Sequence, residues 1–131
     1  MIVPHPPYAL ASTTFRFPAL AALAGRMPLG GQREVALATY LAARLAHDCL
    51  PERGLSDAVR SERANGAKTW LSTLALPAPI RPALAKLVES TSGNRSQTAE
   101  ALRAVITLTA DVLDARARSE LDQLAVTLER N

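Results

Sequence analysis

His47, Asp48 and Cys49 stand side by side and offer an imidazole, a carboxylate and a thiol, the groups that bind zinc or drive nucleophilic catalysis. Their spacing denies them a shared target. Consecutive residues on a helix point about 100° apart, so the three do not converge on one ion. His5 is the only other histidine, and no cysteine or histidine pair has the separation of a zinc motif. A cysteine nucleophile needs a histidine poised beside it, and no local signature around Cys49 supports one.

Gly66-Ala67-Lys68-Thr69 invites comparison with a phosphate-binding loop, in which glycines let backbone amides cradle phosphate while the lysine neutralises it. That loop requires glycine directly before the lysine and another five residues earlier, following a strand. Here Ala67 and Ser61 hold those places, and the context is helical. The carboxylates near the C-terminus fail a similar test. Helical bundles that hold two irons use Glu-x-x-His pairs, and the chain contains none. Asp114 to Arg118, Arg116 to Glu120 and Arg118 to Asp122 instead alternate in sign at four-residue spacing, the pattern of a solvated, ion-paired helix surface. No catalytic residue, metal site or cofactor is expected.

Arg60, Arg63, Lys68, Arg81, Lys86 and Arg95 are the candidates for contact with an anion or a nucleic acid, because phosphate affinity needs several cations on one face. Glu62 and Glu89 interrupt them, Trp70 is the one aromatic among them, and no helix-turn-helix spacing fits. A solvated charged surface is the favoured reading. Through Arg95 the chain carries 11 basic and 6 acidic residues, and after it 4 and 6, so the net charge of +3 is carried by the front of the molecule.

These side chains must be positioned by helices. Aromatic residues are only 4% of the composition while alanine and leucine are abundant, which favours thin, closely packed helices over a β-sandwich. Residues 1–14 hold Pro4, Pro6 and Pro7 and read as an extended arm, leaving 15–131 as a single helical domain. Pro18 suits the first position of a short helix ending near Met27, and Pro28 with Gly30-Gly31 follows it as a turn. Gln32 to Leu50 is a second, largely buried helix stopped by Pro51. Ser56 caps a third, which Asn65-Gly66 threatens to split and in which Trp70 serves as a core anchor. Ile80, Leu84, Leu87 and Val88 mark a fourth, closed by Gly93, and Asn94 with Gln97 opens the last.

The last segment is the longest. Leu102, Ile106, Thr109, Leu113, Ala117, Leu121, Leu124 and Leu128 recur at three- and four-residue steps from Ser96 to Arg130. About 35 helical residues span roughly 50 Å, whereas a compact chain of this size is roughly 36 Å across. The helix must break near Ala115 to Ser119 or project and pair with another chain. The expected architecture is therefore all-α: a four- to five-helix bundle with a long C-terminal amphipathic helix and an extended N-terminal arm.

The function that follows is a non-enzymatic helical interaction protein, an adaptor, regulator or assembly subunit. It would form a homo-oligomer or meet a protein partner through Leu113, Ala117, Leu121, Leu124 and Leu128. A nucleic-acid-binding accessory subunit using the cations of the third and fourth helices is the alternative. One cysteine, no basic leader with an apolar core, and no apolar run of about 18 residues point to a reducing, cytoplasmic setting without membrane contact.

Overall fold

The computed structural model describes residues 17–28, 31–50 and 53–130, so the expected N-terminal arm lies outside the described residues. The described residues form six helices and no strand: α1 (Pro18–Arg26), α2 (Gly31–His47), α3 (Asp57–Leu71), α4 (Ile80–Ser90), α5 (Arg95–Leu108) and α6 (Ala115–Glu129). The chain is all-α, and the described residues hold one more helix than the sequence pattern implied.

Alanine explains why α2 takes the centre. Ala36, Ala38, Ala42, Ala43 and Ala46 are fully buried, and with so little side chain between them and their neighbours, other helices pack close on several sides. Twelve of the seventeen α2 residues are buried, more than a one-sided amphipathic helix would hide. The other five helices form an almost continuous wrap, in which α1 packs on α6, α6 on α5, α5 on α4 and α4 on α3, and all five also touch α2. Among the described residues, α1 and α3 are the two ends of that wrap.

Local chemistry sets most helix starts. Pro18 sits at the first position of α1, where a missing N–H costs nothing. The Ser56 hydroxyl accepts from the Val59 N–H at 3.2 Å, and the Asn94 side chain accepts from the Ser96 N–H at 2.7 Å. Ile80, Leu84, Leu87 and Val88 are all buried, and Trp70 is a buried core residue. Gly54, with φ of 64°, supplies the left-handed turn between α2 and α3.

Two points that the sequence leaves open are decided by the helices. Asn65-Gly66 does not split α3, which runs unbroken past it because Ala64 and Ala67 on either side are buried in the core. The long C-terminal helix does break, but earlier than Ala115 to Ser119: α5 ends at Leu108, and Asp114 caps a new helix by accepting the Ala117 N–H at 2.8 Å. Thr109, which continues the apolar stripe, turns inward and donates its hydroxyl to the Val105 carbonyl at 2.7 Å. α6 then folds back on α5 as a hairpin.

Candidate functional site

Folding back covers the C-terminal stripe. Leu113, Ala117, Leu121, Leu124 and Leu128 are all buried among α1, α2 and α5, so the surface expected to face a partner faces the chain's own core. Leu108 and Val126, at 40% and 42% exposure, are the large apolar side chains left in solvent among the described residues. Leu108 ends α5 and Val126 lies in the last turn of α6.

The seam between α1 and α6 is polar at both ends. At the start of α1 the Glu120 carboxylate accepts the Ala19 N–H at 2.9 Å and the Leu20 N–H at 3.0 Å, taking up two amides that no turn of helix can satisfy. Its negative charge also meets the positive end of the helix dipole. At the other end Arg26 donates to Asp114 at 3.0 Å, a pair whose side chains are 62% and 40% exposed. The Ala117 amide and then the Arg26 guanidinium hold the Asp114 carboxyl below the usual carboxylate range. Leu23 and Ala24 between these clamps are buried, as are Phe17 and Leu20 at the first of them. Over the seam lies an open groove of about 540 Å³, lined by Pro18, Ala22 and Arg26 of α1 and by Arg116, Ser119 and Gln123 of α6.

The opposite flank is fastened differently. Asp48, just past α2, has a side chain only 1% exposed, and three guanidiniums from three places reach it. Arg63 of α3 lies at 2.8 Å, Arg53 of the connector at 3.4 Å and Arg44 of α2 at 3.9 Å. Beside it the Cys49 thiol donates to the Thr91 carbonyl at 3.1 Å, linking the end of α2 to the end of α4. Burial pushes the Cys49 thiol above its ordinary value despite the nearby Arg60 guanidinium, so it stays protonated at neutral pH and is a poor nucleophile. His47 stacks edge-on against Phe17 at 6.3 Å between ring centroids. His47, Asp48 and Cys49 thus face three different surroundings, and no group of three potential ligands among the described residues is placed to hold a metal.

Most of the six candidate cations are engaged within the chain. Arg60 pairs with Asp57, Arg63 with Asp48, and Lys68 with Glu89 at 3.2 Å. Arg81 donates to the Leu74 carbonyl, closing the chain between α3 and α4. Lys68 and Arg81 edge a small, mostly apolar hollow of about 150 Å³. Lys86 instead borders the α4–α5 groove beside Glu89 and Glu100, and Arg95 opens α5.

The expected surface ion pairs are also partly reassigned. Arg118 keeps Asp122 at 4.0 Å, while Asp114 and Glu120 are drawn off to α1. The outer edge of the hairpin is tied by Arg103, which donates from two nitrogens to the Glu129 carboxylate, one bond at 2.8 Å. That fork pulls the Glu129 carboxyl below its ordinary value. Glu34, another carboxylate that periodicity does not single out, is buried in the first turn of α2 and accepts the Ala75 N–H at 3.2 Å. Among the described residues no helix is long and apolar enough to cross a membrane. Compared with family models, curated proteins and solved structures, the chain shows no significant match.

Proposed function

We propose that the chain is a non-enzymatic helical interaction module that self-associates through its C-terminal helix, α6. The observation that carries this reading is the cover over α6. Its leucine stripe lies partly under α1, a helix of nine residues at the edge of the wrap, tied down at both ends by carboxylates at the start of α6. An apolar face under a short helix suits docking of an amphipathic helix, since an incoming helix with the same pattern would make the same contacts. The groups with chemical potential point away from catalysis: the Cys49 thiol is buried and protonated, and Asp48 is surrounded by guanidiniums.

The nucleic-acid reading draws less support, because four of its six cations already serve ion pairs or a carbonyl within the chain. Binding to phosphate would have to compete with those bonds.

Light scattering on a size-exclusion column over a wide concentration range tests the proposal. A dimer or larger species that persists in high salt supports an apolar assembly surface. A strict monomer at every concentration contradicts it.

A further inference from the structure

We propose that the hollow between α3 and α4 binds a small monocarboxylate with an apolar body, the head seated on Arg81 and the body against Leu71, Leu76 and Ala85. The site stands apart from α6 and does not depend on self-association.

Spacing puts the necessary groups on both walls. Leu71 and Ser72 follow Lys68 by one turn and so share its face at the end of α3, while Arg81 and Ala85 stand one turn apart on α4. Leu76 closes the hollow from the connector. The space is about 150 Å³, the size of an apolar cavity that takes up benzene, so it suits a single ring or a chain of a few carbons. Leu71 and Leu76 are buried core residues, which fixes the floor in place.

Charge chooses the head group. Among the described residues the lining contains two cations and no carboxylate. Arg81 donates to the Leu74 carbonyl, a bond that orients the guanidinium without neutralising it, and no carboxylate among the described residues pairs with it. Its remaining N–H groups can grip a carboxylate with two parallel bonds. Lys68 is the lesser contact, because it already meets Glu89 at 3.2 Å, although both of those side chains are well exposed and water screens the pair. The Ser72 hydroxyl gives its proton to the Thr69 carbonyl at 2.6 Å and so offers a carboxylate no donor. Recognition therefore needs two parts: the apolar floor holds the body, and Arg81 selects a negative head over a neutral one.

The test titrates benzoate into the isotope-labelled full-length chain and follows the amide resonances. Saturable shifts are expected at Leu71, Ser72, Arg81 and Ala85, with a dissociation constant of about 1 mM for so small a ligand. Benzyl alcohol has the ring without the charge, and inorganic phosphate has charge without the ring. Each should bind at least about tenfold more weakly than benzoate. Arg81→Gln should erase the preference for benzoate over benzyl alcohol. Ala85→Leu fills the hollow from an exposed helical position, keeps the fold, and should abolish binding of both. The absence of saturable benzoate shifts at roughly ten times the expected constant would overturn the site. So would equal binding of benzyl alcohol, the same shifts with phosphate, or benzoate binding that survives Ala85→Leu.

Discussion

The two ends of the wrap are fastened by carboxylates, but in opposite ways. On the α3 flank, Asp48 is almost fully buried and binds guanidiniums from α2, the connector and α3. On the α1 flank, Glu120 and Asp114 reach out from the start of α6, and the Arg26 to Asp114 pair stands well in solvent beside an open groove. Burial decides what each fastening is worth. Water and salt screen the exposed pair to a fraction of a kcal/mol, whereas a buried carboxylate cannot be removed without stranding the charges around it. One flank is therefore built to stay and the other is able to open.

The sharpest way to break the contrast is Asp48→Asn, which keeps the shape of the side chain and removes its charge. It should cost about 3 kcal/mol, since three partly buried guanidiniums lose their counter-charge. In thermal unfolding that loss corresponds to roughly 10 °C for a domain of this size. A shift of only a degree or two would mean the cluster is no better a fastening than a surface pair.

Leu20→Ala comes next. Leu20 is fully buried at the seam, and truncation of such a leucine costs about 2–3 kcal/mol. Because α1 opens alone, the effect should appear as detachment of α1, with urea unfolding of α2–α6, followed by Trp70 fluorescence, shifting much less. An equal loss in both would show α1 to be an integral part of the core.

Glu120→Gln removes one acceptor from two amides and the charge from the dipole contact. About 1 kcal/mol should be lost from the docking of α1, read as faster proteolysis near Pro28. The same clamp has a pH dependence through Asp114. Its folded-state value lies below the ordinary one, so its contribution is complete above the ordinary carboxylate range and is lost as pH falls through the lower, folded value. Proteolysis near Pro28, followed with an acid-active protease, should therefore accelerate below about pH 4, and Asp114→Asn should flatten that rise. At the small end, Arg118→Ala removes a 4.0 Å pair with both side chains about half exposed and should leave stability within about 0.5 kcal/mol.

The starts of several helices were legible in the residues, and the way α1 is fastened was not. Ser56 and Asn94 announce helix starts through bonds that span three residues or fewer, Pro18 does so through its fixed φ, and the Ile80 to Val88 spacing marks a buried face within one helix. The break before α6 was obscured because Thr109 and Leu113 keep the three-and-four rhythm straight through it, while Asp114 reads equally as a partner for Arg118 and as a cap. Only the energetics of the hairpin choose between those roles.

The clamps were hidden for a different reason. Glu120 meets amides about a hundred residues earlier, and Arg26 meets Asp114 across 88 residues. No local periodicity encodes such pairs. Asp48 was visible as a chemical group, yet its arginines approach from three separate elements, so its role as a buried anchor follows only from the packing of α2 against α3.

Native-state hydrogen exchange measured at neutral pH, with α1 amides compared against those of Ala64 to Leu71 in α3, tests the asymmetry most directly. The account predicts that α1 amides exchange through a local opening of low free energy and insensitive to denaturant, while the inner α3 amides exchange only with global unfolding. Equal protection of both flanks, with both following global unfolding, would contradict it.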